Sequence, residues 1–183
     1  MARHTSLALT LALLAAVPAV SHAQGSPDAG AAPVTEARRM EGYKQEKHAL
    51  SPAEREGMAK LDAESVRIVQ RYLPRVKPQR ITAHTLDRAY DAWLADTRAD
   101  RPSDNVVIPA LGVRLGMLTL KTCKGAWYHV KDNYGEALAV EFEKSGQQVY
   151  PIDSVNKRYE RHEQHFFADL HTVYLQACRG KLK

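Results

Sequence analysis

The sequence has no apolar run long enough to cross a membrane as a helix, and it contains little cysteine. A bilayer-spanning helix needs about 20 predominantly apolar residues, and none of the runs in these 183 residues approaches that length. With two cysteines and 10 glycines, the chain is neither disulfide-dense nor collagenous. Its net charge of +5 is too small an excess to indicate nucleic acid binding by itself. The composition is that of an ordinary globular protein.

The familiar signatures of catalysis are also missing. The sequence has no GxSxG, P-loop or GxGxxG motif. His162 and His165 are three residues apart, not four as in the zinc motif HExxH, and His171 completes no evident ligand set. Asp87 and Asp91 share a helical spacing, but an acid near a helix start is favoured by the helix dipole alone. We therefore expect no metal, no cofactor and no catalytic residue, and we lean towards a protein that is not an enzyme.

Residues 1–23 have the three parts of a secretory signal peptide. Arg3 is in a short basic start, an apolar run of 11 residues follows from Leu7, and small residues flank His22 before a cleavage point after Ala23. Removal of these residues takes away one basic residue, Arg3. The mature chain then has 25 basic and 21 acidic residues, so its net charge is +4. The segment predicts a periplasmic or secreted protein, with a buried N-terminal helix as the alternative.

Export changes the meaning of the two cysteines. Cys123 and Cys178 form an even pair, and such a pair in an oxidising compartment usually forms a disulfide. The bond would close a loop of 56 residues and stabilise the fold by roughly 4 kcal/mol on a loop-entropy argument. Two buried thiols or a reactive thiol are the alternatives, since neither cysteine has a partner at metal-ligand spacing.

Composition and periodicity divide the mature chain into a linker and one domain. Residues 24–50 are predicted as a flexible linker, because their start is rich in Gly, Ala, Pro and Ser without apolar periodicity. Residues 51–183 are predicted as a single α+β domain. Apolar spacings of three and four residues predict helices that begin at Pro52 after a capping box and end before Pro74, and that span residues 85–98 and 109–122. Gly112 and Gly116 predict a close approach of the third helix to another element.

After Gly125 the apolar period changes from 3.6 to two. This change predicts a three-stranded antiparallel meander over residues 126–131, 137–143 and 147–152, with one buried and one exposed face. Pro151 suggests that the third strand is an edge strand. A C-terminal helix capped by Asp153 or Ser154 follows to Cys178, with an offset near His162. The predicted fold is N-terminal helices, the meander and a C-terminal helix, held by the disulfide.

The region of residues 108–160 resembles a bacterial family known as domain of unknown function 3806. The resemblance rests on Leu111-Gly112 with Gly116, Gly125-Ala126-Trp127, Asp132-Asn133-Tyr134-Gly135 with Ala137, and the run from Tyr150 to Arg158. It implies the α+β fold but no activity, because the family has none known. The two cysteines are not part of this pattern and look like an adaptation to export.

Two groups of residues around the third strand are candidates for a binding surface. Trp127 and Tyr150 lie on the outer strands, where they form either an aromatic recognition surface or part of the sheet core. Lys157, Arg158 and Arg161 follow the strand-to-helix junction. They either bind an anion together with backbone N–H groups at the helix start or form a solvated helix face.

The most one-sided charge segment lies between residues 67 and 80. It has five basic residues and no acidic one: Arg67, Arg71, Arg75, Lys77 and Arg80. Such a segment either meets anionic lipid headgroups, lipopolysaccharide or an acidic protein, or is a solvated helix and connector.

We therefore expect an exported, non-enzymatic module that binds an envelope protein or an anionic envelope component. Neither nucleic acid nor a transmembrane segment of the mature chain is expected. The alternative is a periplasmic hydrolase with an unrecognised site, which would gather Asp132, His129 and the histidines of residues 162–171 in an apolar pocket. A third hypothesis is a protein that covers an enzyme or toxin through a large interface.

Overall fold

The computed structural model describes residues 44–181. The predicted signal peptide and residues 24–43 of the predicted linker lie outside the described residues. The helices are α1 (Pro52–Tyr72), α2 (Ala83–Leu94), α3 (Asp104–Leu120), α4 (Pro151–Glu160) and α5 (Phe167–Cys178), with a short 3-10 helix at Pro78–Arg80. The strands are β1 (Glu46–Ala49), β2 (Gly125–Asp132), β3 (Gly135–Phe142) and β4 (Gln148–Val149). None of the described helices combines the length and apolarity required to cross a membrane.

The first two helices begin at capping boxes. In α1 the Ser51 hydroxyl accepts from the Glu54 N–H at 3.2 Å, and the Glu54 carboxylate accepts from the Ser51 N–H at 2.7 Å. This confirms the predicted start. Thr82 and Thr85 cap α2 in the same reciprocal way, so this helix begins before residue 85 and covers residues 83–94 instead of 85–98.

The third helix begins five residues earlier than predicted. It starts at Asp104 after Ser103, and Pro109 lies inside it. The sequence prediction placed Pro109 at the first helical position, where proline is most common. A proline in the second turn is also compatible with a helix when packing compensates for the one missing N–H. Here α3 is buried on most of its surface, from Val107 to Leu118.

The sheet is antiparallel and has four strands instead of three. The strand order is β1-β2-β3-β4, so β1 adds an edge strand next to β2, with Glu46 opposite Lys131 and Ala49 opposite Tyr128. This strand falls inside the segment predicted as a linker up to residue 50. Its sequence, Glu-Lys-His-Ala, has no apolar alternation because every side chain in it is exposed. Only the pairing with β2 reveals it.

The register gives the sheet two different faces. Trp127 and His129 on β2 lie opposite Val140 and Leu138 on β3, and this face packs against the helices. Tyr128, opposite Ala139, belongs to the other face. The predicted contrast between a buried and an exposed face holds only in part, because Val130 and Ala139 on this other face are also buried.

The two glycines of α3 allow the sheet and α4 to approach this helix closely. A Cβ atom at Gly112 would lie 2.6 Å from the Ile152 Cα, and one at Gly116 would lie 2.3 Å from Trp127 Cζ2. Real Cβ atoms do not tolerate such distances, so the close approach predicted from the spacing is confirmed. The core continues on the other side of α3, where its largest fully buried side chains include Tyr90, Trp93 and Phe167.

The predicted single C-terminal helix is two helices. Pro151 begins α4 at its first position instead of continuing a strand, so β4 is only two residues long, although it is the edge strand that was predicted. The residue before α4 is Tyr150, and no side chain caps the helix, so the predicted caps at Asp153 or Ser154 are wrong. The connection to α5 contains two non-glycine residues with positive φ, His162 at 56° and His165 at 55°.

The predicted disulfide joins Cys123 and Cys178, with Cα atoms 6.1 Å apart. Cys123 lies just after α3 and Cys178 ends α5. The bond therefore links the ends of the two helices at the point where the chain enters β2.

Candidate functional site

An open cavity of about 450 Å³ lies between the β2–β3 turn and the first turns of α4. β4 pairs only with Val140 and Glu141, so the other half of β3 is flanked by α4 instead of a strand. The polar residues that line the cavity are Asp132, Tyr134, Glu136, Tyr150, Asp153, Ser154 and Lys157. Strands, turn and helix thus contribute side chains to one place.

The β2–β3 turn shapes the outer wall of this cavity. Gly135 has a φ of +136°, which a residue with a side chain rarely adopts. The Asp132 carboxylate accepts from the Tyr134 N–H at 2.8 Å, as in a typical Asx turn. Tyr134 is 78% exposed at the tip and presents its ring at the mouth of the cavity.

A second cavity of about 500 Å³ shares Glu136, Ala137 and Asp153 with the first but opens on the opposite face of the hairpin, because His129 and Leu138 line it. Its other walls are apolar residues of α1, β3 and α4 together with Glu54 and His129. We call the two cavities together the hairpin cleft.

His129 lies between two carboxylates in the second cavity. Its Nδ1 atom is 2.7 Å from Glu54 Oε1, and its Nε2 atom is 3.4 Å from Glu136 Oε2. Hydrogen bonds from the Ser51 hydroxyl and N–H, followed by the His129 contact, lower the pKa of Glu54 to about 2. The ion pair with Lys131, at 2.7 Å, lowers the pKa of Glu136 as well. Glu54 therefore carries its charge at neutral pH and orients the imidazole.

Tyr150 is half-buried at the boundary between the cleft and the exposed sheet face. Its hydroxyl accepts from Gln45 Nε2 at 3.3 Å and donates to Gln148 Oε1 at 3.0 Å. Gln148 also donates to Glu141, which pairs with Lys47 at 2.7 Å. Burial raises the pKa of Tyr150, so the phenol stays a neutral donor.

The structure separates Trp127 from Tyr150. Trp127 faces the helices and packs against Gly116, as in the sheet-core alternative, whereas Tyr150 lines the hairpin cleft. Trp127 lines a different cavity of about 490 Å³, together with Leu50, Met58 and Met117. The two aromatic residues do not form one recognition surface.

The predicted basic group at residues 157–161 is also divided. Lys157 lines the hairpin cleft. Arg158 donates to the Ser154 carbonyl at 3.2 Å, approaches Glu163 at 3.8 Å and lies over the Phe166 ring. Arg161 is also 3.8 Å from Glu163. Arg158 thus stabilises the connection between α4 and α5. The three cations do not converge on one anion site.

The predicted basic segment between residues 67 and 80 is split into paired and unpaired cations. Arg67 pairs with Glu64 at 2.7 Å, and Arg71 pairs with Asp100 at 2.9 Å. The other three side chains are exposed, and within residues 44–181 no carboxylate lies within 4 Å of them: Arg75, Lys77 and Arg80.

The aspartates of α2 serve the helical packing. The buried Asp87 carboxylate accepts from the backbone N–H groups of Phe167 and Ala168, at 2.6 and 3.1 Å, and so caps α5 from a neighbouring helix. Burial raises the pKa of Asp87 in spite of these two donors. Asp91 pairs with His165 at 2.8 Å.

The residues proposed for a hydrolase are brought together only in part. Asp132 and His129 lie on opposite faces of the hairpin and line different cavities of the hairpin cleft. His165 instead contacts Asp91, and the half-buried His171 lines a separate cavity beside Leu118. In the described part of the chain, no group of three His, Cys, Asp or Glu side chains is placed to hold a metal ion.

Two cleft residues were missed as site residues by sequence reasoning. Glu54 was interpreted only as part of a capping box, and Glu136 was not singled out. The useful signal was the alternation of β2 and β3, which places His129 and the residues paired with it on the face towards α1.

Residues 84–169 match the family described as "Domain of unknown function (DUF3806)". The resemblance to that family is therefore confirmed, and it extends further towards the N-terminus than the residues from which it was recognised. A crystal structure from Bacteroides thetaiotaomicron VPI-5482 is similar, with a TM-score of 0.55 and 14% identity over 75% of this chain. The similarity covers 50% of that chain, so this chain spans about half its length, and the likeness concerns the fold alone. No curated protein matches the chain.

Proposed function

We propose that this protein is an exported, non-enzymatic binding module of the bacterial envelope and that the hairpin cleft is its ligand site. The observation that carries this proposal is the convergence of Tyr150 and Lys157 in one cavity. Both residues are among the candidates for a binding surface, with Tyr150 at the N-cap of α4 and Lys157 in its second turn. Concave sites of about 300–1,000 Å³ with a few convergent polar groups are typical of ligand binding.

The chemistry of the cleft favours a ligand rich in hydroxyl or amino groups, such as a saccharide. The cavity next to the turn offers three carboxylates and a serine hydroxyl, against one lysine. Carboxylates accept several hydrogen bonds each, and Lys157 and Tyr150 add donors. A simple anion would meet an excess of negative charge here, so the anionic ligand first considered for residues 157–161 fits this cleft poorly.

The disulfide supports the exported part of the proposal. Disulfides persist in oxidising compartments such as the bacterial periplasm and are rare in the cytosol. An intact mass measured with and without reductant tests both expectations, cleavage after Ala23 and a gain of two hydrogens on reduction. A full-length cytosolic protein with free thiols would contradict export.

The ligand site is tested by nuclear magnetic resonance titration with soluble saccharide fragments from digested cell wall. We expect amide shifts at Gly135, Glu136, Ser154 and Lys157. The double variant Tyr150→Phe/Lys157→Ala should weaken binding about tenfold or more, because it removes two polar contacts. The matched control Lys77→Ala removes an exposed cation outside the cleft and should bind normally. Shifts elsewhere, or equal loss in both variants, would contradict the assignment.

One observation favours the hydrolase as a second candidate. An oriented imidazole next to an ionised carboxylate, as in the Glu54–His129 pair, is a frequent arrangement for general base catalysis. However, Glu136 occupies the side of the ring where a nucleophile or water would have to lie. Incubation of the same fragments decides between the candidates: a hydrolase releases products that disappear in His129→Gln, whereas a binding module returns the fragments unchanged.

A further inference from the structure

Three separate segments of the chain meet around the disulfide. The bond holds the residue after α3 next to the last residue of α5. The Glu143 N–H donates to the Lys124 carbonyl at 3.1 Å, which brings the β3–β4 turn to the same place. A Cβ atom at Gly180 would lie 3.8 Å from Ser145 Cβ, so the chain after α5 also reaches this turn.

These segments carry five exposed cations, and we call this part of the molecule the disulfide end: Lys121, Lys124, Lys144, Arg179 and Lys181. Among the described residues, none of the five has a carboxylate within 4 Å, whereas nine of the other 17 lysines and arginines do. Glu143 is the one acidic residue in these segments. The charge of the disulfide end is therefore strongly positive.

Helix termini explain only part of this charge. Lys121 and Arg179 are the C-cap residues of α3 and α5, where the helix dipole favours a cation. Lys124 and Lys144 lie in connections to strands, so no helix terminus accounts for them. Like charges held this close repel one another, and an external anionic partner would relieve that repulsion.

We propose that the disulfide end docks on an anionic membrane surface through phosphate groups of the lipids. Five cations spread over separate segments match a plane of phosphates better than a single phosphate group, and lysine suits this role as a flexible point charge. The hairpin cleft lies at the opposite end of the strands, about 25 Å away along the eight residues of β2. A docked molecule would therefore hold the cleft away from the membrane.

This proposal shares with the proposed function only the location in the envelope, and it is tested separately by sedimentation with lipid vesicles. The protein should bind vesicles that contain phosphatidylglycerol and should not bind pure phosphatidylcholine vesicles. The triple variant Lys124→Ala/Lys144→Ala/Arg179→Ala should lose about a hundredfold in binding, because each cation near such a surface contributes about fivefold. Equal binding to both kinds of vesicle would overturn the proposal.

The matched control removes three equally exposed cations from other places, in Lys44→Ala/Arg75→Ala/Lys77→Ala. It lowers the net charge by the same amount, so it should lose no more than a few fold. Equal losses in the two triple variants would show that net charge alone matters and would overturn the docking site. The variant Lys124→Arg/Lys144→Arg keeps the charge and should bind normally, which controls for misfolding.

Two further vesicle-binding measurements identify the chemistry of the ligand and the end of the molecule that binds it. Inorganic phosphate should displace the protein from vesicles no better than chloride at equal ionic strength, whereas stronger displacement by phosphate would indicate a discrete phosphate site and overturn surface docking. The cleft variant Tyr150→Phe/Lys157→Ala should bind vesicles like the unchanged protein. If that variant lost vesicle binding and the disulfide-end variant kept it, the membrane surface would be assigned to the wrong end.

Discussion

Charged side chains have different roles in the helical part of the molecule and in the sheet. In the helices, Asp87 caps α5, and the buried Arg114 donates to the Ser65 hydroxyl at 2.9 Å and to the Asp62 carbonyl at 3.0 Å. On the sheet, Lys47 pairs with Glu141 across an exposed surface. The buried charges each satisfy a particular backbone or side-chain group, whereas the exposed pairs remain accessible to a ligand.

This difference predicts which substitutions change stability and which leave the fold intact. Removing one member of a buried hydrogen-bonded pair leaves an unsatisfied group and costs about 1–3 kcal/mol. An exposed ion pair contributes only about 0–1 kcal/mol. Substitutions of buried charges in the helices should therefore change stability, and substitutions of exposed residues around the hairpin cleft should change binding while the fold persists.

The largest expected effect concerns the covalent link between the helix ends. The variant Cys123→Ser/Cys178→Ser should lower the free energy of unfolding by roughly 4 kcal/mol, because the unfolded chain gains the freedom of the opened loop. Urea denaturation followed by circular dichroism measures this loss. Addition of reductant to the unchanged protein should reproduce it, and a loss below about 1 kcal/mol in both would contradict the expectation.

Asp87→Ala should cost about 3 kcal/mol in the same measurement. The substitution leaves the N–H groups of Phe167 and Ala168 without their acceptor in a buried place. Asp100→Ala is the matched control, because Asp100 is an exposed aspartate that pairs with Arg71, and its loss should cost at most about 1 kcal/mol. Similar costs in the two variants would remove the distinction between buried and exposed charges.

Glu54 should make stability depend on acidity. Its pKa is lowered from 4.5 to about 2 in the folded protein, so its stabilising contribution is present above pH 4.5 and is lost as the pH falls towards 2. In Glu54→Gln, thermal unfolding midpoints should fall less steeply over this range. Glu56→Gln, which removes an exposed partner of Lys60, should keep the original slope. Parallel slopes in all three proteins would rule out this role of Glu54.

The smallest effect on stability is expected at the tip of the β2–β3 turn. Tyr134→Ser should change the free energy of unfolding by less than about 0.5 kcal/mol, because the side chain is 78% exposed. Binding of the saccharide fragments should nevertheless weaken, since the ring lines the mouth of the cleft. Destabilisation by more than about 1 kcal/mol would contradict this expectation and show that Tyr134 contributes to stability, as the buried charges of the helices do.

The parts of the fold that local sequence signals determine were predicted well. The capping box at Ser51 marks the start of α1, and the alternation in β2 and β3 marks the hairpin, because these signals depend on neighbouring residues. β1 was missed because its four residues become a strand only by pairing with residues about 80 positions away. The start of α3 was placed too late because Pro109 is tolerated inside a buried helix.

The candidate binding residues could be grouped from the sequence only in part, for a related reason. A window along the chain detects cations that are close in sequence, as between residues 67 and 80, but the fold gives two of those five an acidic partner. The cations of the disulfide end come from segments up to 60 residues apart, so no window could group them. Tyr150 and Lys157 could be grouped from the sequence because they are only seven residues apart, and in the structure they line one cavity.

The position of the disulfide also determines how the protein would respond to proteolysis. The bond encloses β2, β3, β4, α4 and α5 in one covalent ring, whereas the exposed residues 97–100 lie before the ring begins. A protease that cuts the β3–β4 turn would leave both fragments joined on a non-reducing gel, and only reductant would separate them. A cut at residues 97–100 would release two fragments under either condition, so limited digestion maps which connection yields first.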